Sequence, residues 1–463
     1  MPHSVRINDY TNQALTLTSA PYVLLEYNMG APTTQFTTND SSETVDISGV
    51  RFSSVTDTLT VMIERTTATA AQSDYESLEQ FISRINLKQN EDSGIKTFIE
   101  VQMTFDQVYF SSEIISMQIK PTSDSFIEIP QGKITAEITV NRQFFWENLS
   151  GVTLTGTNGN GASTTLTIKN HDDGGAGDDN WASFSGSTIK GTIPGPIRIT
   201  LKNTSGSSVT FKNVYLGVNG IADPTNFQHV WEAESASGGS GSNTSDANSS
   251  NGSYRNISYG AAGNYPSTLY WLPPTNFFSI TKGRIFRALL VCKTAPPTNA
   301  FVSIGAGVFD SPLFLNTWVG NEVQGDNNSR ILDLGNIRLP QSNFVTGTTY
   351  SSGFSLNVRT TSASALTPDF IMFIPASGYK KIEQQYSLQV GANEFIVDDS
   401  EVGESCYKNS SGNKLPIYTP LGNDLMLWPG STNRVYVLFE EPSYVATRSM
   451  QITVEHFARR LTF

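Results

Sequence analysis

The chain has 463 residues, of which only 16% are charged, and its 37 glycines with abundant Ser, Thr and Asn suit an extended all-β protein rich in loops. That length points to about two to four domains. A net charge of -12 without any Lys/Arg cluster excludes a nucleic-acid partner, which needs a basic footprint to release counterions. No apolar run approaches the roughly 18 residues that span a membrane, and Met1 to Tyr10 lacks the apolar centre of a secretory signal.

Alternating apolar positions predict strands at Leu15 to Leu17, Tyr22 to Tyr27, Leu59 to Ile63, Ile99 to Phe105, Ile115 to Ile119 and Ile134 to Val140. One helix interrupts them. Ser73-Asp-Tyr-Glu76 reads as a capping box; Tyr75, Leu78, Phe81, Ile82 and Ile85 follow at helical spacing, and Asn90 to Gly94 ends the run. A loop-rich stretch then leads to His171-Asp172-Asp173-Gly-Gly-Ala-Gly-Asp178-Asp179. Four carboxylates there suit either Ca²⁺ or a solvated acidic turn, and their spacing is not that of an EF-hand. Ile197, Ile199 and Leu201, then Val214, Leu216 and Val218, alternate with polar residues and read as a pair of half-buried strands.

His229 to Glu234 reads as a strand start, and Ser235 to Gly263 as a flexible or extended loop, because such small polar residues bury too little apolar surface for a core. Strands return at Arg287 to Lys293, Phe301 to Gly305, Ile331 to Leu334, Phe354 to Arg359 and Asp369 to Ile374, a spacing that suits a jelly roll or related sandwich. The last block holds Val435, Val437 and Phe439 and a closing strand Ile452 to Val454. These terminal strands need partners, which the central strands supply, so the segment between becomes an insertion.

For catalysis the sequence shows no convincing base, nucleophile and orienting partner. His3, His171, His229 and His456 are scattered and have no metal-ligand spacing. Cys292, in an apolar run, reads as a buried small hydrophobe. Glu232 and Glu234, two apart on one strand, would point to one face and reach one cation or flank one sugar bond, or else form a charged edge. Tyr265, Tyr270, Trp271, Phe277, Phe278 and Trp318 supply rings for sugar faces or for a core.

The run Leu15-Thr-Leu-Thr-Ser-Ala-Pro-Tyr-Val-Leu-Leu-Glu, the helix at Ser73 to Leu87, Phe144-Phe-Trp-Glu147 and Thr192-Ile-Pro-Gly-Pro-Ile-Arg-Ile-Thr-Leu-Lys-Asn203 together resemble the distal tail proteins of long-tailed bacteriophages. Glu232-Ala-Glu234 and Asp369-Phe-Ile-Met-Phe-Ile374 resemble the opening and closing strands of galactose-binding-like jelly rolls of carbohydrate-binding modules. These resemblances imply a mainly β, multi-domain sandwich protein with one amphipathic helix. Its parts would be a ring-forming N-terminal module at 1–147, a discontinuous sandwich at 148–226 and 380–463, and an inserted jelly roll at 227–379.

They further imply a non-enzymatic virion component of the tail tip, made in the host cytoplasm without a signal peptide. Its expected partners are copies of itself in a hexameric ring, the tail tube, the baseplate hub, fibre proteins and a host surface glycan, with no nucleic acid and no membrane insertion. A structural Ca²⁺ would sit on Glu232, Glu234 and Asp369, and a glycan on Tyr270, Trp271 and Trp318. The alternatives are a free glycan-binding adhesin and, behind it, a glycoside hydrolase using Glu232 or Glu234.

Overall fold

The computed structural model describes residues 2–462 apart from residues 3, 9–13, 42–43, 92–95, 104–108, 123–128, 173–176, 178, 219–226, 282–283, 340–349 and 443–444. It is mainly β, in several antiparallel sheets. Among the described residues, no helix is long and apolar enough to cross a membrane. Two compact units are present: Met1–Gly151 with Gly191–Ile193 and Phe457–Phe463, and Val152–Lys190 with Pro194–His456.

In the first unit the main sheet runs Ala14–Thr16, Ser4–Asn8, Phe98–Gln102, Tyr109–Pro121, Lys133–Arg142, Val55–Glu64, Tyr22–Asn28. The helix Ala68–Glu91 buries Ala71, Leu78, Phe81, Ile82 and Ile85 in the same core as the inward side chains of the sheet. It begins earlier than the capping box predicts. Thr67, not Ser73, caps it, its Oγ1 accepting the Ala70 N–H at 3.3 Å. Ala-rich residues 68–71 extend the helix at little cost, which leaves Ser73 inside it and Asp74 paired with Arg65. Near the far end, Asn86 bonds both the N–H and the carbonyl of Met117, at 2.9 and 2.7 Å, just past a bulge in Tyr109–Pro121.

Arg142 and Asp57 form a fully buried ion pair in this unit, with Nε 2.7 Å from Oδ2. Tyr27 and the Gly30 N–H supply the further donors that such a desolvated carboxylate needs. The chain's end also returns here. Arg459–Arg460 pairs with Trp146–Glu147, and Arg459 Nε donates to Glu147 Oε1 at 2.6 Å, a closure that the sequence did not announce.

The second unit contains a sandwich whose ladder runs through two faces. One face holds Ser449–His456, Gly195–Lys202, Phe395–Asp399 and Glu404–Lys408; the other holds Lys414–Gly422, Tyr379–Val390, Val209–Val218, Asn433–Glu440 and Trp181–Phe184. The central strands Gly195–Lys202 and Val209–Val218 therefore do not pair with each other, contrary to the sequence reading. Each joins a separate face and takes its partners from the C-terminal block, Ser449–His456 and Asn433–Glu440 respectively. Ile197, Ile199 and Leu201 meet Val214, Leu216 and Val437 in the core instead.

Among the described residues, those between these strands build three further sheets: Val230–Glu232, Pro368–Pro375, Ile285–Cys292, Ile331–Arg338; Gly238–Gly239, Gly263–Trp271, Tyr350–Thr360, Ala300–Asp310, Leu313–Val319; and the smaller Ser242–Ser245, Ser253–Tyr259, Ser364–Leu366. All eight residues of Pro368–Pro375 are buried, which accounts for its unbroken apolar run. Cys292 is buried among them, where desolvation pushes its thiol up. The Ser/Gly/Asn stretch is not merely a loop. Ser242–Ser245 pairs with Ser253–Tyr259, and Ile257 and Tyr259 enter the core, so two apolar anchors suffice to order it.

Inserted sheets and sandwich share apolar packing. Tyr215, Tyr436 and Leu438 of the sandwich belong to the same buried cluster as Phe286, Phe354 and Phe373 of the insertion. Gly217 permits this approach, since a Cβ there would lie 2.3 Å from Cγ2 of Ile374.

Candidate functional site

The largest gathering of the residues singled out by sequence lies where the loop after Leu166–Lys169 meets the start of the inserted sheets. His229, two residues after Phe227 enters the core, is buried against Tyr436 with ring centroids 4.7 Å apart. Its Nε2 lies 2.7 Å from Asn180 Oδ1 and 3.5 Å from Asp172 Oδ2. Burial, reinforced by the Arg434 charge, holds the imidazole well below its usual range, so the ring is neutral and Nε2–H donates to Asn180. Asp172 also accepts the Trp181 indole N–H at 3.0 Å.

Beside it, Ser250 gathers three chain segments. Its Oγ donates to Glu232 Oε1 at 2.5 Å and lies 3.3 Å from His171 Nδ1, while its N–H donates to Asp369 Oδ2 at 3.0 Å. A serine, a histidine and two carboxylates thus meet, but their geometry is that of a brace. The Ser250 proton is directed to Glu232, and Ser250 is fully buried. A nucleophile needs its proton directed to the base and a path for substrate.

Glu232 and Asp369, expected as metal ligands, are brought together through Ser250, but Glu234 is not. The strand ends at Glu232, so the two glutamates do not share a strand face; Glu234 Oε1 accepts from Asn251 Nδ2 at 3.1 Å. Burial raises the Glu234 carboxyl above its usual range. Among the described residues, no group of three His, Cys, Asp or Glu side chains is arranged to hold a metal ion. In the acidic loop Asp179 accepts the Gly159 N–H at 2.7 Å, whereas Asp173 and Asp178 lie outside the described residues.

The three aromatic candidates are dispersed. Trp271 is 2% exposed, stacks on Phe354 and donates its indole N–H to the Glu232 carbonyl at 2.9 Å, so its faces are occupied by the protein. Tyr270 stacks with Phe309 and Phe314. Trp318 is 42% exposed, on the sheet-edge strand Leu313–Val319 with exposed Leu313, Leu315 and Val319. Phe277 and Phe278 are core residues.

Sequence reasoning missed Ser250 and Asn180. The available signal was Asp246-Ala-Asn-Ser-Ser250, a cluster of turn-forming residues in which the Asn248 N–H bonds Asp246 Oδ1 at 2.8 Å.

The chain is similar to phage baseplate and adsorption-hub structures over nearly its full length. One solved structure, of the phage P2 baseplate in its activated conformation with Ca, matches at 9% identity and a TM-score of 0.30, covering 99% of this chain and 97% of that one. The SPP1 Dit protein, described as a paradigm of the hub adsorption apparatus in phages infecting Gram-positive hosts, matches at 6% identity and a TM-score of 0.32, covering 98% of each chain. An exo-β-1,3-galactanase from Phanerochaete chrysosporium matches at 11% identity and a TM-score of 0.20, over 61% of this chain and 66% of that one. TM-scores at this level leave the functional reading to the sequence and the geometry. No family model and no curated protein matches the chain.

Proposed function

We propose that this chain is a structural component of a bacteriophage tail tip or baseplate, and that its first unit assembles into a ring at the distal end of the tail tube. The reading rests on the ordered set of sequence motifs that resembles distal tail proteins. One observation about the molecule supports it most: the polar cluster at Ser250 ties chain segments together, His171 and Glu232 meeting its buried hydroxyl and Asp369 accepting its backbone N–H. An arrangement of this kind fits a part that transmits position and load.

The inserted sheets are the part proposed to meet fibre proteins or a host glycan, through the exposed strand bearing Trp318. Ring closure follows if the contacts between copies are heterologous and their rotation closes. Light scattering combined with negative-stain electron microscopy of the purified chain tests the proposal. Closed rings of uniform mass are expected. A particle that stays monomeric, alone and with an isolated tail-tube protein, would sink the ring reading.

A further inference from the structure

We propose that Lys380 and Asp398 form an intramolecular isopeptide bond that joins the two faces of the sandwich covalently. The two residues come from different faces. Lys380 stands on Tyr379–Val390, paired with Val209–Val218, and Asp398 on Phe395–Asp399, paired with Gly195–Lys202. Lys380 Nζ nonetheless lies 2.9 Å from Asp398 Oδ1 and 3.2 Å from Oδ2, with the two side chains only 2% and 1% exposed.

The carboxyl group is fixed for attack. Ser405 Oγ donates to Oδ1 at 2.6 Å and Ser400 Oγ to Oδ2 at 3.3 Å, while Ser400 is itself held by the Leu425 N–H at 2.9 Å. These bonds hold the carboxyl carbon next to the amine, the kind of positioning that replaces a bimolecular encounter. A second carboxylate, Asp424, places Oδ1 3.4 Å from Nζ and is half exposed. One amine thus stands between a buried acid and an acid that opens to solvent.

Burial drives the chemistry. A desolvated ion pair is costly, and proton transfer from ammonium to carboxylate converts it to a neutral amine and a neutral carboxylic acid. Desolvation accordingly raises the Asp398 carboxyl above its usual range, against the pull of Lys380. The Nζ lone pair then adds to Cγ, and Asp424 takes the surplus N–H proton and returns it to the departing oxygen. An N–C bond forms, a C–O bond breaks, and one water leaves. No oxidant, reductant or other reactant is needed.

The link has a mechanical consequence. Lys380 is the second residue of the strand by which the chain re-enters the sandwich after the inserted sheets, so the bond would anchor that exit point against load.

Mass spectrometry of the purified full chain under denaturing conditions is the test, with the termini fixed by peptide mapping. The expected result is an intact mass one water below that of the sequence, and a branched peptide joining the segments that carry Lys380 and Asp398. Lys380→Met and Asp398→Ala should each restore the full mass of their own sequence while keeping a cooperative melt, which separates loss of the bond from loss of the fold. Asp424→Ala should leave both reacting groups and lower the linked fraction. An intact mass equal to that of the sequence, or a missing water that maps elsewhere, would overturn the proposal and leave an ordinary buried ion pair.

Discussion

Two regions of the second unit put opposite kinds of residue in unexpected places. Around Ser250, polar and ionisable side chains lie in the interior; along Leu313–Val319, leucine, valine and tryptophan face solvent. The first region is a fastening between sandwich and insertion, because Ser250 bonds Glu232, Asp369 and His171 from separate chain segments. The second has no such compensation among the described residues, and an exposed apolar strand at a sheet edge is what a partner would cover. Chemistry-bearing residue types therefore serve structure around Ser250, while apolar ones lie exposed along Leu313–Val319.

The largest test of that contrast removes the insertion. Deleting residues 220–378 would bare Tyr215, Tyr436 and Leu438, which share the core of the inserted sheets. At about 1.5–3 kcal/mol for each large side chain, the loss approaches the whole stability of a typical domain. The shortened chain is expected to lose the melting transition of the second unit by circular dichroism and to keep only that of the first, which has its own core; a product that retains both transitions would show that the fastening is dispensable.

A narrower test compares two tryptophans. Trp271→Ala opens a cavity against Phe354 and releases the bond to Glu232, costing about 3–5 kcal/mol. Trp318→Ala should cost clearly less, about 1 kcal/mol, because the side chain is 42% exposed and belongs to no buried cluster. Thermal denaturation of both variants in one buffer decides it. Equal losses would mean that the exposed strand is part of the fold and not a contact surface.

The smallest expected effect concerns pH. His229 is held neutral in the folded protein, while in the unfolded chain it titrates near its ordinary value of about 6.5. Acidification below that point protonates the unfolded form first, so this contribution is present above about pH 6.5 and falls by roughly 1.4 kcal/mol per pH unit beneath it, until the depressed folded-state value is reached. The raised carboxyls of Glu234 and Glu441 act in the opposite direction, favouring the folded form as their protons return. The informative quantity is thus the difference between the wild-type and His229→Gln proteins in denaturant melts across pH 5 to 7, a window set by the His reference value. If the two slopes are parallel, the histidine does not carry the effect.

Much of the architecture was legible because strand periodicity is local. Val55–Glu64 and Lys133–Arg142 alternate buried with less buried residues along most of their length, and the apolar run at Asp369 to Ile374 reads directly as a fully buried strand. Helix existence was equally plain from Leu78, Phe81, Ile82 and Ile85, yet its start was misplaced, since Ser73 offers a capping pattern that Thr67 in fact supplies. The candidate site was legible only as a set of residue types. Glu232, Asp369 and His171 drew notice separately, and no spacing announced that a serine from a low-complexity stretch would hold all three.

By itself the sequence determined the β character, the single long helix and the buried state of Cys292. Each follows from side-chain pattern over a few neighbouring residues. Tertiary structure alone decided that Gly195–Lys202 and Val209–Val218 part to opposite faces, that Arg459–Arg460 returns to Trp146–Glu147, and that Lys380 meets Asp398 across the sandwich. Those outcomes depend on which distant strands satisfy each other's backbone hydrogen bonds, and alternation within a strand carries no record of its partner.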